Sequence, residues 1–255
     1  MVHRMQKGGV NAPSATAFRE ICNGQGLAAI PAGPSRWQAM PMHHANDEIA
    51  GYWNDYADAY DAEPDHGLGD PVTREAWRVL LERWLPARPS DVADLACGTG
   101  SLTALVAGLG HSVVGVDLAG NMVERARTKS VGLAGQVIIK QGDVSLPPID
   151  SVSVDVILAR HILWTLPDPQ AALAAWRSLL RPGGRFLLVE GRWWSVGDED
   201  YNDEAGMPWA GGVRAVDLAA ALEPLVQRIE VVPLTDPLLW GTEIVDERYL
   251  LVADL

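Results

Sequence analysis

From residue 91 onward the chain switches repeatedly between two hydrophobic periods. Short apolar runs at 91–96, 112–117, 137–141, 153–159 and 184–190 read as strands. Stretches with apolar residues three and four apart predict helices over 101–109, 120–131 and 168–180, the first two closed by Gly110 and Gly132, the third stopped by Pro182 and Gly183. Such alternation demands parallel strands with helices on both sheet faces. Right-handed crossovers then leave an open, doubly wound α/β sheet. Past residue 190 the pattern weakens. Residues 191–212 have no period, 215–222 read as a helix, and 228–233 with 246–252 read as a late hairpin at the sheet edge.

Upstream, Tyr52, Trp53, Tyr56 and Tyr60 recur at helical spacing and predict a short helix with an aromatic stripe, followed by a turn near 64–69. A second amphipathic helix is expected over 73–85, with Trp77, Leu80, Leu81, Trp84 and Leu85 inward and Pro86 ending it. Residues 1–42 are rich in Gly, Pro, Ser, Ala and Asn without a period, and predict a flexible N-terminal extension. The expected organisation is that extension followed by one domain, 43–255, with a helical lid at about 47–85 and a lid insertion at about 191–212.

Charge and composition narrow the functions open to this fold. The 255 residues carry a net charge of −13, which disfavours a nucleic-acid partner. No apolar run is long enough to span a bilayer, and Gly8, Gly9, Asn11 and Pro13 fall where a signal peptide needs its apolar core, so no membrane partner is expected. The two cysteines, Cys22 and Cys97, lie in unlike contexts, and a cytoplasmic location is expected. Cys97 has no basic neighbour in sequence and reads as a small filler, not a nucleophile. No metal site is expected.

The first strand runs into Asp94, Leu95, Ala96, Cys97, Gly98, Thr99 and Gly100, with a helix directly after. Small residues at that junction let the backbone turn tightly, and the helix start offers unpaired N–H groups. The second strand ends at Asp117, where a carboxylate at the sheet edge can accept from a ribose diol. Thr103 stands where a dinucleotide fingerprint needs its third glycine, and no G-x-x-x-x-G-K-[ST] string occurs. The expected ligand therefore has an adenosine-ribose part and no pyrophosphate.

DLACGTG (94–100), VVGVDLAGNMVERAR (113–127), QGDV (141–144) and LLRPGGRFLLVEG (179–191) together resemble the class I S-adenosylmethionine-dependent methyltransferases. The resemblance covers roughly residues 50–255. It implies a seven-stranded, mostly parallel sheet in the order 3-2-1-4-5-7-6, with strand 7 antiparallel. It implies S-adenosyl-L-methionine as cofactor, S-adenosyl-L-homocysteine as product, and an enzyme. By similarity, Asp94, Ala96, Gly98 and Gly100 shape the pocket for the amino-acid part of the cofactor. Asp117 would hold the ribose hydroxyls with Leu118 beside it, Met122 would pack on adenine, Asp143 and Val144 would meet its edge, and Ala159 and Tyr60 complete the cofactor set. Four of these have a second reading: Asp94 as a buried orienter of the loop, Asp117 as a capping acid for the helix over 120–131, Asp143 as a residue facing water, and Met122 as plain core. Ala96 departs from the family, which usually has Gly there; its methyl group narrows the pocket.

The acceptor must lie behind the methyl group in a closed pocket, and an alcohol, phenol or protonated amine needs a base. His161, just past the fourth strand, is the candidate catalytic base; its rival role is structural. Arg160 has two readings, contact with an anionic substrate or pairing with an acid. Trp53, Tyr56 and Trp164, with Trp193, Trp194 and Tyr201 from the insertion, are candidate substrate-pocket walls. The string ARHI (159–162) stands where amino-group methylases of DNA carry [N/D]-P-P-[Y/F], which disfavours that chemistry. A small-molecule acceptor, methylated on oxygen or nitrogen, fits best. A peptide or protein methyltransferase and a non-catalytic cofactor-binding regulator are the alternatives, and monomer and homodimer are both open.

Overall fold

The computed structural model describes residues 42–63, 65–133, 136–192 and 207–255. Residues 1–41 of the expected extension and 193–206 of the expected insertion lie outside these. Met42, placed above in the extension, belongs to the first helix.

That helix, α1 (Met42–Tyr60), precedes α2 (Pro71–Trp84). Then follow β1 (Asp91–Leu95), α3 (Ser101–Gly108), β2 (Ser112–Asp117), α4 (Gly120–Lys129), β3 (Val137–Gln141) and β4 (Val154–Arg160). A 3-10 turn at Leu163–Thr165 leads to α5 (Pro169–Leu179) and β5 (Leu180–Arg192). The chain closes with α6 (Ala215–Leu222), β6 (Arg228–Pro233), a 3-10 turn at Pro237–Leu239 and β7 (Glu247–Asp254). The sheet order is β3-β2-β1-β4-β5-β7-β6. The first five strands pair parallel, and β7 runs antiparallel to both β5 and β6. No described helix is long and apolar enough to cross a membrane.

Period-two alternation divides the core into two layers. Ile157 and Ala159 of β4, Phe186 and Leu188 of β5, and Tyr249, Leu251 and Ala253 of β7 pack with Leu173, Trp176, Leu218 and Leu222 from α5 and α6. Val156 and Leu158, Leu187 and Val189, and Leu250 and Val252 face the other way, against Trp77 and Leu81 of α2 and Leu102 and Val106 of α3. Each such side chain contributes about 1.5–3 kcal/mol on burial. The pairs of Arg78 with Glu75 and Glu82 are exposed and screened by solvent, so the sheet layers and not the surface ions hold the fold.

Local chemistry sets the element ends. Asp70 caps α2 by accepting from the Val72 and Thr73 N–H groups at 2.8 and 3.0 Å, with Pro71 at the first helical position. The predicted strand at 184 starts earlier, at Leu180, because Pro182 and Gly183 fall where the β4–β5 register shifts and the strand resumes beyond them. Gly100 is left-handed at φ +81°, and a Cβ there would lie 3.0 Å from the Cα and Cβ of Ala126 on α4. Substituting Gly100→Ala should therefore lower the unfolding free energy by about 2–4 kcal/mol, combining left-handed strain with overpacking. Urea denaturation checks this; an unchanged midpoint would mean that α4 yields without cost.

Candidate active site

The sheet order reverses beside β1, so the carboxyl ends of β1 and β4 open a crevice between them. A cavity of about 740 Å³, its open mouth included, occupies this place.

The loop after β1 forms one wall. Ala96, Gly98 and Gly100 are all left-handed, with φ of +57°, +54° and +81°. The Cys97 N–H donates to Val116 O at 3.0 Å and the Gly100 N–H to Cys97 O at 2.9 Å, which curls the loop onto β2. The Cys97 thiol is buried, and burial raises its pKa well above the ordinary value, as a filler requires. Ala96 and Gly98 line the cavity.

Asp117 ties this loop to the one after β2. Its Oδ2 accepts from the Gly98 N–H at 2.8 Å and its Oδ1 from the Ala119 N–H at 2.9 Å. Burial raises its pKa, while these backbone donors oppose the rise. A carboxylate offers about four acceptor sites, so the Gly98, Ala119 and Leu118 donors still leave capacity for a further one. Leu118 and Met122 continue the same wall. Asp143, at the far end, accepts from Asn46 Nδ2 at 2.8 Å and from the Ser145 N–H at 2.7 Å. Trp176 Nε1 donates to Val144 O at 2.6 Å, which anchors this loop to α5.

Helix α1 roofs the cavity. Ala57, Trp53 and Tyr60 pack on Ala119 and Met122. Asn121 N–H donates to Asn54 Oδ1 at 2.8 Å and Asn121 Nδ2 to Asn54 O at 3.0 Å. Arg125 pairs with Asp58, and Lys129 Nζ lies 3.0 Å from Asp61. Tyr60 stacks on His66 with ring centres 4.3 Å apart, and burial pushes its hydroxyl up to about 12. Tyr60, Ala96 and Arg160 also wall a smaller recess of about 290 Å³, which reaches Asp94, Thr99 and His66.

The opposite wall is the turn after β4. His161 is left-handed at φ +57°, its N–H donates to Val189 O at 2.9 Å, and its ring stacks on Trp240 at 5.7 Å. Burial lowers its pKa well below the ordinary value, and Arg160, Arg248 and His66 lower it further. Ile162, Thr165, Leu166 and Pro167 extend this wall.

Several expected contacts fall elsewhere. Asp94 accepts from Thr103 Oγ1 at 2.5 Å, tying β1 to α3; burial pushes its carboxyl up to about 6. It meets the smaller recess and not the main cavity, which favours the orienting role. Gly100 faces Ala126 instead of the pocket, because α4 packs directly against it. Ala159 sits inside the sheet between Leu95 and Leu188 and is core. Tyr56 packs on Tyr52, Trp53 and Tyr60, away from the cavity wall. Trp164 braces the turn from behind, Nε1 donating to His161 O at 2.8 Å. Arg160 reaches the cavity, but Nη1 donates to Asp65 O at 2.6 Å and Nη2 to His66 O at 3.4 Å, with the guanidinium over Trp77. It straps the 65–66 turn to β4 and pairs with carbonyls, not with an acid. Trp193, Trp194 and Tyr201 lie outside the described residues.

Sequence reasoning missed Asn46, Ile49 and Ser145, and the Ile162 and Thr165–Pro167 side chains. A dense apolar string after a strand end was the available signal for the last group. Glu190, an acid inside an apolar strand run, was passed over too.

Residues 93–188 match the family model described as a methyltransferase domain. Those residues carry a methyltransferase domain, set in a sheet of the order β3-β2-β1-β4-β5-β7-β6. The chain is 34% identical over 143 residues to the O-methyltransferase cnsE of Penicillium expansum, covering 55% of this chain and 49% of that one. It is 33% identical over 150 residues to the ubiquinone/menaquinone biosynthesis C-methyltransferase UbiE of Teredinibacter turnerae, covering 56% and 59%. The chain thus spans about half to three-fifths of the length of these relatives. Geranyl diphosphate C-methyltransferase from Streptomyces coelicolor A3(2), a solved structure, shares the fold with a TM-score of 0.64 at 18% identity, over 84% of this chain and 99% of that one.

Ala96 gives this methyltransferase domain a testable strain. A left-handed alanine costs about 1–2 kcal/mol, and the extra freedom of glycine in the unfolded chain returns about 0.4–1 kcal/mol of that. Ala96→Gly should raise the unfolding free energy by about 0.5–1 kcal/mol in urea. A decrease would show that packing of the methyl group outweighs the strain.

Proposed function

We propose that this chain binds S-adenosylmethionine across the β1 and β2 loops and transfers its methyl group to an oxygen or nitrogen of a small, uncharged acceptor. The observation that carries the reading is the meeting of three features around one cavity: the left-handed loop 96–100, the Asp117 carboxylate with spare acceptor capacity, and the His161 turn. These residues fit the cofactor: a carboxylate at a strand end accepts from a ribose diol, and glycine at 98 lets the ligand approach the backbone. When bound, the cofactor supplies an activated methyl group on a sulfonium.

The protein's own part is placement, dryness and one proton. Asp117 holds the sugar, Met122 and Val144 pack on the base, and α1 keeps water out. His161, kept neutral by burial, has the lone pair needed to accept a proton from an acceptor hydroxyl or amine. The acceptor wall of Ile162, Leu166, Pro167 and Ile49 is apolar. Arg160, the arginine among its described residues, gives two of its N–H donors to backbone carbonyls and lays its guanidinium over Trp77. Relatives named for oxygen and carbon transfer to quinone precursors support a small, apolar acceptor class.

Asp117→Ala should weaken S-adenosylhomocysteine binding by about 10- to 100-fold, the loss of charge-assisted hydrogen bonds. Calorimetry measures it; full affinity would remove the ribose assignment. His161→Ala should lower kcat by about 100- to 10,000-fold on any phenol, alcohol or amine that a radiolabelled-methyl screen identifies. Because burial depresses the imidazole pKa, the neutral base predominates above that value. The rate should stay flat from neutral pH upward and fall only in acid. A rise through pH 6–7, or a fully active His161→Ala, would leave this histidine a structural role.

A further inference from the structure

Along β5, Phe186 and Leu188 point into the layer under α5 and α6, and period two puts Glu190 on that same face. The position calls for an apolar residue and holds a carboxylate with 0% exposure. Its Oε1 accepts from the Ile162 and Leu163 N–H groups, both at 3.0 Å. Its Oε2 is buried and has no hydrogen-bond partner among the described residues. Tyr249 stands opposite in register on β7, but its hydroxyl donates to Val213 O at 2.9 Å.

A buried acid is costly, and a carboxylate left half-satisfied is more so. It is retained where the backbone most needs an acceptor. The strand has just ended, His161 has turned left-handed, and the next two N–H groups point inward with no strand to receive them.

We infer that Glu190 is a positioning residue of the acceptor wall: its carboxylate pins the 161–163 turn, and thereby sets where the His161 imidazole and the Ile162 side chain meet the cavity. This rests on the reading of that cavity as the methyl-transfer site. Tyr249 on β7 is the titratable group coupled to Glu190, while Arg248 and Glu247 flank it on β7, Arg192 follows on β5 and His161 begins the turn. Arg248 pairs with Asp246 and Asp65, and Arg192 donates to Ala210 O and Gly212 O. Burial pushes the Glu190 carboxyl up to about 7, against the pull of its two backbone donors. The acid form, with its proton on Oε2, keeps Oε1 as an acceptor but weakens both bonds, so the turn should respond to pH near neutrality.

Two variants separate this role from bulk packing. Glu190→Gln keeps the acceptor oxygen and removes the titration; Glu190→Leu removes both. Amide hydrogen exchange and amide chemical shifts of Ile162 and Leu163 are followed by NMR in the full chain between about pH 5.5 and 8.5. S-adenosylhomocysteine binding is measured in parallel by calorimetry. The wild-type shifts should titrate near neutrality and those of Glu190→Gln should be flat, with exchange protection kept. In Glu190→Leu both amides should exchange at least tenfold faster, with S-adenosylhomocysteine affinity within roughly twofold of wild type. Unchanged exchange in Glu190→Leu, or the same titration in Glu190→Gln as in wild type, overturns the proposal. Should the Leu variant not fold, the titration of the Gln variant decides alone. A wild-type chain that binds no S-adenosylhomocysteine would instead refute the reading of the cavity, a failure the amide measurements do not share.

Discussion

Two loops that share no hydrogen-bonded ladder meet at the carboxylate of Asp117. One oxygen accepts from Gly98 at the end of β1 and the other from Ala119 at the start of α4. The loop between Ala96 and Gly100 is left-handed at three positions, and this bridge, together with the Cys97 N–H to Val116 O bond, fixes its distance from β2. A charge taken out of water at this depth is costly, which is why burial raises the Asp117 pKa. Further donors arriving from a ligand diol would relieve that cost. The strand end is therefore arranged to be better satisfied when filled than when empty.

The roof is held by weaker means. Helix α1 buries Trp53, Ala57 and Tyr60 on Ala119 and Met122, its Ile49 packs on Met207 and Ala210, and polar links join it to α4 and the β3 loop. The pairs formed by Asp58 and Asp61 are partly solvated and individually worth little. By contrast, the layers under β4, β5 and β7 bury tryptophans and branched residues completely. The strands are thus bound to one another by far more buried apolar surface than α1 is to the sheet.

The fold was legible because two physical signals coincide in this sequence. Alternation in strands such as 153–159 and three-four spacing in the helices leave few topologies once crossover handedness applies. Asp117 was legible because a strand's last residue must reach the sheet edge, and Gly98, Met122 and Asp143 because they stand in the motifs that carry the family resemblance. Residues whose role depends on direction were not. Tyr56 shares a helix with Trp53 yet turns to its neighbours, and Trp164 lies next to the cavity turn yet braces it from outside. Arg160 points inward, but its guanidinium is taken by carbonyls of a turn 94 and 95 residues earlier, a contact no local pattern encodes. Asn46 escaped for a similar reason: its partner Asp143 is 97 residues away. Glu190 left a signal, a lone acid in an apolar strand, and such an exception to the period is where a buried backbone group awaits an acceptor.

The most direct test of this account is a crystal structure of the full chain with S-adenosylhomocysteine. The two ribose hydroxyls should lie within hydrogen-bond distance of the Asp117 carboxylate, the adenine should lie between Met122 and Val144, and the sulfur should sit at the neck formed by Ala96, Tyr60 and Arg160, facing His161. A ligand whose sugar lies away from Asp117, or whose sulfur points away from the His161 turn, would contradict it.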